Sequence, residues 1–177
     1  SKLHVTEAIA FVSSITVKSM FEEYPLVFDF TNALSNEISY SFNKSTMFNI
    51  TLGKSISFRN IVFSNFMKGN TYFIKLTNST VIWENITIVN FGVHVNGTRL
   101  ATGDSLIFVY SVTPSSLMNI SDLIIEQSMP YFHVQQGTLI MKNSLFKNCY
   151  IGYSGFSANE AYMTMENVTF SNFDTLH

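Results

Sequence analysis

The 177-residue chain has a single cysteine, Cys149, so no disulfide can close within it and a disulfide-stapled scaffold is excluded. Charge is scarce. Asp, Glu, Lys and Arg make up 12% of the residues, about half the usual quarter, and the formal net charge is −2. Arginine occurs only at Arg59 and Arg99, which leaves no basic stripe of the kind nucleic acid requires. No apolar run approaches the ~18 residues of a membrane-crossing helix, so no transmembrane segment is expected. Aspartate is confined to Asp29, Asp104, Asp122 and Asp174, with no adjacent pair. His4, His94, His133 and His177 show no ligand spacing such as His-x-x-x-His, and no metal or cofactor is expected.

What the chain does have is apolar content, 46% of residues, arranged in a repeat. The string Ile56-Ser-Phe58-Arg-Asn60-Ile61-Val-Phe63-Ser-Asn65-Phe66 returns as Val81-Ile-Trp83-Glu-Asn85-Ile86-Thr-Ile88-Val-Asn90-Phe91. It returns again as Met163-Thr-Met165-Glu-Asn167-Val168-Thr-Phe170-Ser-Asn172-Phe173. Looser copies run from Met118 to Ser128 and from Leu139 to Cys149, and an early copy is read from Ala10 to Met20 with Ser14 in the place of the first Asn. Repeats of this length mark a stack of structural units.

Within each copy apolar residues alternate, as at Ile56 and Phe58, which is the pattern of a strand with one buried face. The alternation slips by one at Asn60–Ile61 and again at Asn65–Phe66. A one-residue slip would turn a straight strand inside out, so the chain must bend at both asparagines. Asn suits such corners because it tolerates the left-handed backbone region. Two corner columns follow: Asn60, Asn85, Asp122, Asn143 and Asn167, then Asn65, Asn90, Gln127, Asn148 and Asn172. Their side chains are expected to point inward and to form hydrogen-bonded ladders. The first column recurs at intervals of 25, 37, 21 and 24 residues, and Asn36 is a degenerate candidate for a coil between Ser14 and Asn60. The apolar columns Phe58, Trp83, Ile120, Met141, Met165 and Phe63, Ile88, Ile125, Phe146, Phe170 should form a dry interior, with Cys149 as an inert thiol in the column of Phe66, Phe91 and Phe173. Outward residues before or near the corners should pair by charge between neighbouring copies: Arg59 with Glu84, Lys142 with Glu166, Glu126 with Lys147.

These residues resemble the right-handed parallel β-helix, or pectin-lyase-like, repeat family, clearly over residues 8–20 and 56–173 and poorly over 26–52. The resemblance implies an all-β fold: a solenoid of about seven coils of ~21–25 residues, one coil carrying an insertion. Residues 1–177 then form a single domain, with an insertion loop at 96–116 and an extra strand at Ile107–Tyr110. The chain starts without Met and ends soon after a full repeat with no polar cap, so it is expected to be a window of a longer protein. Enzymes of the family cluster acids, or a calcium site with a basic residue, on one face. Val81-Ile-Trp83-Glu-Asn85 is similar to a pectate-lyase segment, but the Asp-His that should close it is missing. No catalytic residue is assigned.

Asn-x-Ser/Thr sequons occur at Asn43, Asn49, Asn78, Asn85, Asn96, Asn119 and Asn167, about twice the number chance gives. Asn78, Asn96 and Asn119 are the expected acceptors, with Asn43 and Asn49 behind them, whereas Asn85 and Asn167 are expected to be shielded in the corner ladder. His94, Arg99 and Asp104 are the polar content of the insertion and form a candidate binding loop. These features point to a secreted or cell-surface structural or adhesive glycoprotein segment, a stiff rod carrying N-linked glycans. Its partner would be itself or an adjoining chain, end to end. The alternative is a carbohydrate-active enzyme or glycan-binding module of the same fold. A bacterial autotransporter passenger is a third reading, disfavoured by the 8 Gly, the 17 Phe and the sequon excess.

Overall fold

A computed structural model of the chain describes residues 2–4, 9–11, 15–18, 25–29, 45–51, 53–66, 71–93, 106–151 and 155–175. Among these residues all regular structure is strand: β1 (Lys2–His4), β2 (Ile9–Phe11), β3 (Ile15–Lys18), β4 (Leu26–Asp29), β5 (Ser45–Thr51), β6 (Ser55–Ser64), β7 (Thr71–Thr77), β8 (Thr80–Val89), β9 (Leu106–Glu126), β10 (Phe132–Lys147), β11 (Tyr150–Ile151), β12 (Phe156–Ala158), β13 (Ala161–Ser171) and β14 (Asp174–Thr175). The protein is all-β with a parallel sheet. One path through it runs β1-β4-β6-β8-β9-β7-β5-β2, with β3 on β6, β10 on β9, and both β12 and β13 on β10. β11 and β14 form a separate parallel pair.

Two of the long strands change neighbours along their length. The first part of β9, Leu106–Ser111, lies beside β7, and its second part, from Leu117, lies beside β8. β10 likewise carries β12 on its first residues and β13 from Gly137 onward. The repeats therefore align copy on copy. Phe63 pairs in register with Ile88, Ile88 with Ile125, Ile125 with Phe146 and Phe146 with Phe170. The first four members of that column have no exposed surface, and neither do Phe58, Trp83, Ile120 and Met141 in the column before the corner. The core gains rings from outside the repeat. Phe73 of β7 meets Phe48, Phe63 and Phe91 edge-on at 5.1, 5.3 and 4.8 Å. Such tilted contacts are the preferred geometry of packed aromatics.

Every residue of the two corner columns has a positive φ, from 48° to 63°. The ladders form as well: Asn85 Nδ2 donates to Asn60 Oδ1 (3.1 Å), Asn90 to Asn65 (3.0 Å), Asn167 to Asn143 (3.0 Å) and Asn172 to Asn148 (3.1 Å). Their orientation differs from the sequence expectation. Between buried Trp83 and buried Ile86 both Glu84 and Asn85 are exposed, and Lys142 and Asn143 behave alike between Met141 and Ser144. A left-handed residue swings the chain so that two successive side chains face outward before the inward phase resumes. The slip in the alternation is absorbed on the outside, and the ladders lie on the rim of the core.

The three charge pairs are formed. Arg59 Nε lies 3.1 Å from Glu84 Oε2, Lys142 Nζ 2.7 Å from Glu166 Oε2, and Lys147 Nζ 3.3 Å from Glu126 Oε1. The hydrogen bond from Lys142 and its charge hold the Glu166 carboxyl below its ordinary range. Partners this exposed contribute little to stability and serve mainly to mark the register.

Other expectations are corrected. The sequence places Ile15 and Val17 in the columns of Ile61 and Phe63 with a whole coil between; instead they pair directly with Ile56 and Phe58, and Leu26–Asp29 lies beside Ile61–Ser64. The early copy is thus displaced by one strand, because Ile-Thr-Val and Leu-Val-Phe carry the same alternation and Ser14 supplies no corner asparagine. Asn36 lies outside the described residues. Phe170 is 49% and Met165 40% exposed, although they continue fully buried columns. The reason is that β13 pairs with β10 on one side and, among the described residues, with no strand on the other. Of the expected 96–116 insertion, residues 96–105 lie outside the described residues, and residues 106–116 run as strand, including Ile107–Tyr110.

Candidate functional site

Of the expected acceptor asparagines, Asn119 is exposed in mid-strand, between Ile82 of β8 and Ile140 of β10. Asn78 is also exposed, at a φ of 49°, but it is tied down: its backbone N–H donates to Thr113 Oγ1 (2.6 Å) and its Oδ1 accepts from Ser115 Oγ (2.6 Å). Asn49 lies in β5, where only its backbone is described. Asn43, Asn96 and the candidate loop residues His94, Arg99 and Asp104 lie outside the described residues. Asn85 and Asn167, expected to be shielded by burial, are exposed. What engages them is the ladder, in which each donates its amide to the asparagine below.

A polar aromatic cluster sits on the strands that join successive repeats, which the repeat pattern does not cover. Tyr72 of β7 and Tyr110 of β9 stack at 4.4 Å with an interplanar angle of 10°. The Tyr110 hydroxyl donates to Gln135 Oε1 (2.7 Å), and its ring meets His133 at 5.3 Å. Tyr131 O–H and His133 Nδ1 lie 3.0 Å apart. Burial raises the Tyr72 phenol above its ordinary range, and the Tyr110 and Tyr131 phenols add to the effect. The cluster offers hydroxyl, amide and imidazole groups on a partly buried surface. Its signal in the sequence was the alternation Tyr131-x-His133-x-Gln135, a strand pattern with polar aromatics on the outward face.

The second feature is the uncovered side of β13. Phe170 stacks on Phe146 at 4.9 Å and meets Phe173 at 5.6 Å, yet about half of it is exposed. Beside it opens a cleft of about 470 Å³ lined by Pro130, Gly155, Phe156, Phe170 and Phe173. This is core chemistry at a surface.

Cys149 is fully buried, and its Sγ donates weakly to the carbonyls of Ile125 and Lys147, each at 3.5 Å. Burial pushes the thiol up to about 11 from an ordinary value of 9.0, with backbone hydrogen bonds acting in the opposite direction. The thiol is neutral at physiological pH and inert as a nucleophile. Ellman's reagent at pH 8 should label Cys149 only at the rate of global unfolding, whereas the denatured chain reacts at once. Because the folded thiol holds its proton more tightly, its contribution to stability is fully present below about pH 9 and is lost as the pH rises through about 11. Rapid labelling of the native chain would contradict the buried placement.

Among the described residues no group of three or more His, Cys, Asp or Glu side chains could hold a metal ion, and no helix is long and apolar enough to cross a membrane. No family model, curated protein or solved structure matches the chain.

Proposed function

We propose that the chain is a segment of a right-handed parallel β-helix of about seven coils that serves as a stiff structural or adhesive rod at the cell exterior, carrying N-linked glycans and joined end to end to itself or to an adjoining chain. The observation that carries this reading is the in-register parallel column Phe63, Ile88, Ile125, Phe146, Phe170, flanked by two asparagine ladders. A core built this way is continuous along one axis and resists bending, because each aromatic or aliphatic layer packs on the next. Short outward ion pairs and exposed sequon asparagines suit a surface whose task is contact and solubility. Asn119 is the leading glycan acceptor on this reading, since its side chain is exposed and mid-strand.

The experiment is secretion of the chain from a eukaryotic host, followed by intact mass with and without peptide-N-glycosidase. A loss of at least one glycan mass is expected on treatment, and Asn119→Gln should remove one increment. A folded, secreted and wholly unmodified chain would refute the glycoprotein reading.

The cluster of Tyr72, Tyr110, Tyr131, His133 and Gln135 supports a second reading, a glycan-binding module of the same fold, because hydroxyl and amide groups among aromatic rings are suited to polar, uncharged sugars. Titration of neutral oligosaccharides against the tyrosine fluorescence of wild type and Tyr110→Ala separates the two readings. Saturable binding lost in the variant favours the module.

A further inference from the structure

We infer that the uncovered edge of β13 is a directional acceptor for one more parallel strand carrying the chain's own corner repeat, and that the first strands of a second copy are not its occupant. The inference rests on the β-helix reading above.

Direction is written into the hydrogen bonds at the second corner. Asn65 N–H donates to Val89 O, Asn90 N–H to Glu126 O, Gln127 N–H to Lys147 O and Asn148 N–H to Ser171 O, always toward the following copy. Two residues further on, the sense reverses. Gly92 N–H donates to Phe66 O, Met129 N–H to Phe91 O, Tyr150 N–H to Ser128 O and Asp174 N–H to Cys149 O, always toward the preceding copy. Each copy thus offers its successor one N–H and one carbonyl. On the last copy these are the Asn172 N–H and the Phe173 carbonyl, which have no such partner among the described residues. The side-chain ladders run the same way. Each upper asparagine donates to the one below, so Asn167 and Asn172 present Oδ1 atoms with no donor above them among the described residues.

The occupant's chemistry follows from these groups. It must be a strand parallel to β13, with apolar residues over Met163, Met165, Val168 and Phe170, bent where β13 bends. It must bring side-chain N–H donors over Asn167 and Asn172, five residues apart, and its corner must return a carbonyl to Asn172 and an N–H to Phe173. This is the pattern apolar-x-apolar-x-Asn-apolar-x-apolar-x-Asn-apolar. The cleft at Pro130, Phe156 and Phe173 receives the residue after the second Asn, as buried Phe66 and Phe91 are received inside the chain. Continuity with the internal interfaces commits the site to a repeat strand. The first strands of another copy do not fit: Leu26–Asp29 already lies between β1 and β6, so that end presents β3 and β1, two separate segments with no Asn between Lys2–His4 and Ile15–Lys18 to form a corner.

The probe is a synthetic peptide of residues 54–68, which carries both corner asparagines, Asn60 and Asn65, and a lysine at each end for solubility. It is added to the full chain while hydrogen exchange and sedimentation are followed. Slowed exchange across residues 161–173 is expected with saturating peptide, and Asn60→Ala plus Asn65→Ala in the peptide should weaken binding about tenfold or more. The substitutions are in the peptide, so they cannot unfold the protein. A peptide that neither binds nor protects β13 overturns the inference. So does an unaided dimer with β13 protected, which would identify a second copy as the occupant, and so does equal binding by the alanine peptide. Exchange in β6 and β8 reports separately on whether the stacked core is intact, and the glycan mass on the glycoprotein reading, so failure of the parent reading is recognised independently.

Discussion

Replacing Gly137 by alanine is expected to destabilise the protein by about 3–5 kcal/mol, since it combines a strained backbone with overpacking against a fixed neighbour. Gly137 has a φ of 107°, which L-residues rarely adopt. A Cβ there would lie 2.5 Å from Ser116 O, 2.9 Å from Thr113 O and 3.0 Å from Ser111 Oγ. The obstacle is mostly backbone, so no side chain can rotate away. Its origin is a mismatch between neighbouring strands: Val112 pairs with Gln136 and Leu117 with Thr138, so residues 113–116 bulge over the single residue Gly137. The bulge is held by Ser111 Oγ donating to Gln136 O (2.6 Å) and by the Thr113–Ser116 hydroxyl contact (2.6 Å). Denaturant midpoints of Gly137→Ala and Gly155→Ala measure the effect. Gly155 has open space where a Cβ would go, and its substitution should be close to neutral. Similar midpoints for the two variants would mean that residues 113–116 do not crowd Gly137.

Phe146→Ala is expected to cost about 3–5 kcal/mol, the range for emptying a packed aromatic site. The ring is fully buried among Phe132 at 6.3 Å, Phe156 at 5.6 Å and Phe170 at 4.9 Å, in the middle of the parallel column. Phe170→Ala removes the same side chain from the same column but should cost less than half as much, because half of the ring already faces solvent and no cavity forms around it. Urea unfolding of the two variants reads this difference directly. Equal losses would show that Phe170 is covered in solution, which would itself demand a partner on β13. Burial of Phe170 by the repeat-bearing peptide should raise the cost of Phe170→Ala toward that of Phe146→Ala.

The sequence alone determined the strand pattern, the parallel register of copies from β6 onward and the sites of ten corners. These are local matters. A period-two alternation that slips at Asn has one physical resolution, a bend at a residue that tolerates positive φ, and the same five-residue step between the two corners of each copy then stacks like residues on like. The charge pairs Arg59–Glu84, Lys142–Glu166 and Lys147–Glu126 were legible for the same reason, being neighbours once the register is set. Tertiary structure decided what local pattern left degenerate. The early copy slid by one strand because Ile15-Thr-Val17 and Leu26-Val-Phe28 have the same alternation, and only packing chooses between them. The corner asparagines turned outward because positive φ reorients two successive side chains, which an alternation count cannot see. The cluster of Tyr72, Tyr110 and His133 comes from joining strands of unequal spacing, and no periodicity linked those residues before the chain brought them together. The exposure of Phe170 is likewise invisible in the repeat. Its sequence neighbourhood matches that of buried Phe63, and what separates them is whether another strand lies above.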